Sequence, residues 1–307
     1  MPMTPGELRH HLQRGALLSF PVTPFSAAGE LDLPALRAHI RVLLGSRPGG
    51  LFICGGTGEF VSLSFLEWRA AVAAAVEETA GAVPVVAGCG YGAAIAREYV
   101  AAAEQDGCDG VLLLPPYLTV AEQDGLYAHY AAVLEGSGIG AVLYQRDNAV
   151  FAPQTVAALA ALPQLAGFKD GIGDVDRLQR IALATDGRLP LCNGLPTAEM
   201  SQAALGAVGA TSYSSAVFNF VPELASRFYR CWRGGDGAGV QRLLDSFYRP
   251  FCELRDRRRG YAVALIKAGL TLVGRPCGPV RPPLVPVSAP HLEELAAILG
   301  ANGVPLA

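Results

Sequence analysis

Eight short apolar runs recur along the first two-thirds of the chain, and longer stretches of helical periodicity separate them. The runs are Ala16–Phe25, Gly50–Gly56, Val83–Gly90, Gly110–Tyr117, Ala141–Asp147, Leu165–Gly171, Arg188–Gly194 and Gly209–Ala216. Strands that alternate with helices pair in parallel, because each parallel return needs a crossover long enough to hold a helix. The intervening stretches carry capping chemistry. Ser64-x-x-Glu67 and Thr119-x-x-Glu122 read as capping boxes, and Pro153 and Asp174 as helix starters. Eight such units are the count of a closed α/β barrel of the (β/α)8, or TIM, type. An open doubly wound sheet is the competing architecture, but no G-x-G-x-x-G follows the first run. The expected organisation is a barrel over 1–235 and a C-terminal helical extension over 236–307, packed on the barrel as a single functional unit. Within the extension the pattern predicts helices over Gly237–Arg257, Gly260–Val273 and Pro290–Leu299.

The 307 residues are 51% hydrophobic and 17% charged, enough apolar material for a large core, which excludes disorder. A net charge of −3 supplies no basic surface for nucleic acid or an anionic membrane. The densest charged run, Arg255-Asp256-Arg257-Arg258-Arg259, reads as a solvated helix junction. Glu, Gly or Pro interrupts every apolar stretch too soon for a bilayer span. The polar segment Met1–Gly15 lacks the apolar core of a signal peptide, so a cytoplasmic location is expected. Seven scattered cysteines with no C-x-x-C pair fit reduced thiols there.

In a barrel of this kind the active site gathers at the C-terminal ends of the strands. Of the 24 cationic side chains only Lys169 and Lys267 are lysine; the other 22 are arginine. An amine that must shed its proton and attack carbon is work that arginine cannot do. Lys169 ends the sixth run, where apolar walls favour the neutral, nucleophilic form of an amine and a Schiff base with a ketone. A lysine snorkelling into solvent is the competing reading. Lys267 falls within the helical pattern Tyr261–Val273 and reads as part of a solvated face.

Tyr144 ends the fifth run, and strand alternation puts Val142, Tyr144 and Arg146 on one face. A phenol beside an imine-forming lysine relays protons, and an arginine fork holds a carboxylate. Taken singly, the tyrosine is core filler and the arginine a rim charge. After the second run, Gly55-Gly56-Thr57-Gly58-Glu59 offers backbone N–H groups to an anion and a Thr57 hydroxyl for proton transfer. The loops after runs seven and eight offer Asn193, Thr211, Ser214 and Ser215 as neutral donors for hydroxyl or carboxylate groups. They lack the clustered glycines of a barrel phosphate site. None of the five histidines ends a strand, which argues against a histidine metal site or a Ser-His-Asp triad. Glu59, Asp147 and Asp170 leave open a carboxylate-held cation; the lysine reading needs neither metal nor cofactor.

With these residues in this order, the chain resembles the dihydrodipicolinate synthase/N-acetylneuraminate lyase family over essentially its whole length. The likeness starts at Phe20-Pro21-Val22-Thr23-Pro24-Phe25 and includes the Gly55–Glu59 turn, Tyr144 and Lys169. It implies a TIM barrel with a helical extension, a homo-oligomer (tetramer or dimer), Lys169 as the Schiff-base nucleophile and Tyr144 as proton relay. It further implies that Gly56 and Thr57 bind an α-keto acid carboxylate. Departures narrow the choice. Tyr144 is followed by Gln145-Arg146-Asp147-Asn148 rather than Asn-x-Pro, Pro116-Tyr117 by Leu118 rather than a second tyrosine, and Pro196-Thr197 stands where sialic-acid lyases carry an acidic pair. Phe168-Lys169-Asp170-Gly171-Ile172-Gly173-Asp174 and Tyr213-Ser214-Ser215-Ala216-Val217-Phe218-Asn219-Phe220 are similar to the branch that dehydrates and decarboxylates 5-dehydro-4-deoxyglucarate. That branch implies a small keto-sugar diacid as partner; we expect its far end at Arg146, Asn193, Ser214 or Ser215, with Thr211 as a further substrate-binding residue. A pyruvate-forming aldolase on the same lysine and a non-catalytic keto-acid-binding barrel are the other two readings.

Overall fold

In the computed structural model, which describes residues Met1–Ala307, all eight runs form strands, each shorter than its run and all but β5, which starts one residue early at Gly140, lying inside it. They are β1 (Leu17–Ser19), β2 (Leu51–Ile53), β3 (Val85–Cys89), β4 (Gly110–Leu113), β5 (Gly140–Gln145), β6 (Leu165–Asp170), β7 (Leu191–Asn193) and β8 (Ala210–Ser215). Each pairs in parallel with its sequence neighbours, and β8 closes on β1. This is the TIM barrel. A helix, α1 (Pro5–Gln13), precedes β1. The crossover helices are α2 (Leu33–Gly45), α3 (Phe65–Thr79), α4 (Ala93–Gln105), α5 (Gln123–Leu134), α6 (Pro153–Leu159), α7 (Val175–Ala184), α8 (Gln202–Ala207) and α9 (Pro222–Arg233). The extension adds α10 (Gly237–Leu243), α11 (Arg249–Arg255), α12 (Tyr261–Leu272) and α13 (Ala289–Ala301).

Leu18, Phe20, Phe52, Val86, Leu112, Val142, Tyr144, Ala166 and Cys192 fill the barrel interior. Leu8 and Leu12 of α1 join that cluster and plug its lower end. Within the polar segment Met1–Gly15, Pro5–Gln13 is therefore an amphipathic helix. Its start is a capping box between Thr4 and Glu7, and its apolar pair sits at i, i+4. The capping box at Ser64 forms as expected. The one at Thr119 does not: α5 begins at Gln123 with Glu122 as N-cap, and the Thr119 carbonyl instead accepts Asn148 Nδ2 at 2.5 Å.

One irregularity serves the site. Between β5 and β6 the register slips, so that Ala141 faces Leu165 but Val142 faces Gly167. The extra residue, Ala166, makes a bulge, and beyond it Tyr144 lies directly across from Lys169. Bulges re-aim side chains in this way beside active sites. The extension packs through aromatic contacts: Tyr248 lies edge-on to Phe228 of α9 at 5.1 Å, and Phe251 of α11 lies 5.9 Å from Phe220, in the segment that leads from β8 into α9. No helix is long and apolar enough to cross a membrane.

Candidate active site

A cavity of about 330 Å³ opens at the C-terminal ends of the strands. Its floor is Phe20 and Leu112. Gly56 and Thr57 line it after β2, Tyr144 and Arg146 at the end of β5, Lys169 on β6, Gly194 to Thr197 after β7, and Ser214 on β8. The extension contributes Phe251, Arg255 and Ile266.

Lys169 is 4% exposed, with Nζ 3.7 Å from the centre of the Tyr144 ring and 5.1 Å from that of Phe20. The amine donates to the Gly194 carbonyl at 3.2 Å, and the Tyr144 hydroxyl donates to the same oxygen at 3.2 Å. One carbonyl thus ties the amine to the phenol. Both flanking glycines are sterically required. A Cβ at Gly194 would run into Lys169 Nζ and Cγ, and one at Gly171 would lie 2.9 Å from the Tyr144 ring. Burial pushes the Tyr144 phenol up, but the positive charges of Lys169 and Arg146 outweigh it and hold the phenol below its ordinary range. Arg146 itself is 46% exposed at its side chain and pairs with Asp147 at 2.8 Å.

The turn after β2 is tightly built. Cys54 and Glu59 both adopt left-handed conformations, and a Cβ on Gly58 would meet Cys54 Cα at 2.9 Å. Gly56 has open space above it. Its N–H and that of Thr57 have no protein acceptor. Glu59 turns away beneath the turn, 2.7 Å from Lys267 Nζ, and accepts the Arg281 N–H at 2.9 Å. Lys267 is 3% exposed, lies 4.3 Å over the Phe25 ring and donates to the Pro279 carbonyl. Burial holds its ammonium below the ordinary range despite the pull of Glu59. The solvated-face reading of Lys267 fails because α12 is apolar nearly all round, and such a helix has no solvated face to offer.

Three of the expected binding residues do not line the cavity. Asn193 is fully buried: its amide donates to Ala198, Ser201 and Gln202, and its oxygen accepts the Leu195 N–H, so it folds the loop after β7. Ser215 donates to Glu199 at 2.5 Å. Thr211 lies at the opposite end of β8, against Gly15. Ser214 does reach the cavity and donates to the Asn193 carbonyl. The three carboxylates considered for a cation have separate partners: Glu59 has Lys267, Asp147 has Arg146, and Asp170 accepts Gln145, Ile172 and Gly173.

Sequence reasoning placed Arg255 in a solvated junction and passed over Glu199. Only 16% of the Arg255 side chain is exposed, and Nη1 donates to Thr197 Oγ1 at 2.6 Å and to the Pro196 carbonyl at 3.0 Å. Its position one turn after Phe251 was the available signal, since i and i+4 share a helix face. Arg257 is nearly half exposed and fits the solvated junction; Arg255 does not. Glu199 is buried behind β8, and burial pushes its carboxyl up to about 7 against the hydrogen bonds from Ser215 and Tyr248.

The chain is 50% identical over 295 residues to a protein of Streptomyces griseus named a probable 5-dehydro-4-deoxyglucarate dehydratase, covering 94% of this chain and 92% of that one. A protein of the same name from Bradyrhizobium diazoefficiens is 50% identical over 298 residues, covering 97% and 95%. The fold is similar to the crystal structure of dihydrodipicolinate synthase from Bacillus clausii, with a TM-score of 0.89, 25% identity, and coverage of 97% of this chain and 100% of that one. The family model described as the dihydrodipicolinate synthetase family matches residues 13–302, and the chain belongs to that family.

Proposed function

We propose that the protein is a lyase that converts 5-dehydro-4-deoxy-D-glucarate to 2,5-dioxopentanoate, CO2 and water through an imine on Lys169. The observation that carries the chemistry is the pairing of Lys169 with Tyr144, both buried at the mouth of the barrel and both bonded to the Gly194 carbonyl. The half-identical relatives support the choice of substrate. The volume sits at the low end of ligand cavities, roughly 300–1,000 Å³, and suits a small sugar acid.

The unpartnered N–H groups of Gly56 and Thr57 receive the carboxylate beside the ketone. Lys169 Nζ adds to the ketone carbon, and loss of water gives an iminium. Tyr144, its phenol lowered by two neighbouring cations, takes and returns protons during this addition, with the Thr57 hydroxyl as a second relay. A proton leaves the adjacent CH2 and an enamine forms. Its electrons expel the β-hydroxyl as water, leaving a conjugated iminium. The C–C bond to the distal carboxylate then breaks, CO2 departs, and the pair flows through the conjugated system to nitrogen. Proton return and hydrolysis free Lys169 and release the dioxo acid. Arg146 and Ser214 line the cavity and are placed to touch substrate; Asn193 and Ser215 hydrogen-bond within the segments behind those contacts, and Thr211, at the far end of β8, takes no part.

Residues 1–235 and 236–307 act as a single unit, because both line the cavity. The protein works in the cytoplasm as a homo-oligomer, a tetramer or dimer. Exposed Tyr117, Leu118 and Val120 after β4 support self-association. The test of function is incubation with 5-dehydro-4-deoxyglucarate. CO2 release with a stoichiometric semialdehyde is the expected result. Free pyruvate would transfer the lysine to aldolase chemistry, and no reaction would leave a binding barrel.

A further inference from the structure

A diacid that loses its distal carboxylate must be held at that end as well as at the keto-acid end, and this inference rests on the function proposed above. Three cationic side chains line the cavity: Lys169, Arg146 and Arg255. Lys169 is committed to the imine. Arg146 lies beside the Tyr144 phenol and lowers it, pairs with Asp147, and is nearly half exposed. Arg255 is far better shielded, with 16% of its side chain exposed, and it comes from outside the barrel altogether, at the end of α11.

We infer that Arg255 is the specificity-determining residue that recognises the distal carboxylate. The geometry favours this in three ways. First, Arg255 bonds to Pro196 and Thr197 of the loop after β7, and β7 lies three strands round the ring from the Gly56–Thr57 turn of β2, across the mouth of the barrel. A six-carbon chain with one carboxylate at that turn points its other end there. Second, the two bonds made by Nη1 fix the plane of the guanidinium and leave Nε and Nη2 as a fork. Third, that fork already holds a carboxylate. Asp256 accepts Nε at 2.7 Å and Nη2 at 3.0 Å. Its side chain is 65% exposed, so it gives up this contact to water at little cost. Asp256 does not itself line the cavity, but it shows that the fork takes a carboxylate in this geometry, and the diacid competes with it for the guanidinium. Bidentate Arg–carboxylate pairs supply both orientation and selectivity.

The test uses a matched pair of unreactive keto acids, 2-oxohexanedioate and 2-oxohexanoate, which share chain length and differ in the distal carboxylate. Each is titrated in the presence of borohydride, and the reduced adduct on Lys169 is quantified by mass spectrometry to give a half-saturating concentration. The wild-type protein should favour the diacid by roughly 10- to 100-fold, the range of a hydrogen-bonded charge pair. Arg255→Gln should collapse that ratio toward 1, and Arg255→Lys should lower it because the fork is lost. Asp256→Asn should move it the other way, since a competing carboxylate is gone. A purely structural clamp predicts a different pattern: both Arg255 variants weaken diacid and monoacid equally, and Asp256→Asn weakens both. That pattern, or an unchanged ratio, overturns the inference while leaving the imine chemistry standing. Absence of any adduct with either compound in the wild type would sink the lysine chemistry itself and this inference with it.

Discussion

Replacing Lys267 with methionine should cost this protein much of its stability, although the residue lies outside the proposed pair of Lys169 and Tyr144. Its Nζ is 2.7 Å from Glu59, both side chains are almost fully buried, and it alone bonds the Pro279 carbonyl. At that separation the attraction is about 6 kcal/mol for an effective dielectric near 20, much of it offset by the cost of burying two charges. Removing one partner leaves the other charge stranded, which costs roughly 3–5 kcal/mol. At roughly 2–4 °C per kcal/mol, Tm should fall by about 10 °C. The double variant Glu59→Gln/Lys267→Met removes both charges and should recover roughly 1–3 kcal/mol of that loss. Glu59 ends the turn that presents Gly56 and Thr57, so KM for the keto acid should rise in the single variant. Thermal unfolding followed by circular dichroism measures the four proteins of the cycle. A Tm change within about 1 °C for Lys267→Met, the behaviour of an ordinary surface lysine, would refute the reasoning.

Arg146→Met removes one of the two charges that depress the Tyr144 phenol. A phenol acting as a base works above its pKa, so the ascending limb of the kcat/KM profile should move to higher pH. Ultraviolet titration of the tyrosinate should move with it, and an unmoved limb would detach Tyr144 from the proton relay. Glu199 titrates near 7 in the folded protein against about 4.3 unfolded, so the folded state holds its proton longer. Stability is therefore lost as pH rises from about 4.3 through 7, by roughly 4 kcal/mol in all. Glu199→Gln should raise Tm relative to wild type at pH 8, with the gain fading below pH 5; a pH-independent difference would contradict this. Gly194→Ala drives a methyl group into Lys169 and should lower kcat by about 100-fold or more with little change in far-ultraviolet circular dichroism.

The barrel was legible because alternation of apolar runs with capped helical stretches is a local property. Tyr144 and Lys169 were legible because strand ends in such a barrel define the site before any packing is known. What escaped depended on three-dimensional neighbours. The apolar stretch Tyr261–Leu272 around Lys267 was there to be read, but its partners Glu59 and Pro279 were not, and Arg255 looks like part of a charged junction until α11 turns it toward the loop after β7. Asn193 and Ser215 have the right chemistry to bind a substrate, yet the loop after β7 and buried Glu199 consume their hydrogen bonds. Thr211 could have been set aside from the sequence, since it begins its strand and the site lies at strand ends. The Ala166 bulge, which aligns Lys169 with Tyr144, leaves no mark that the alternation pattern reveals.

Two lysines in the chain make one experiment unusually clean. Borohydride added while 5-dehydro-4-deoxyglucarate is turning over, followed by peptide mapping, reports which amine forms the imine. The account predicts a reduced adduct on the Lys169 peptide and none on that of Lys267. A protein that turns over substrate without any adduct, or that carries it on Lys267, would contradict it.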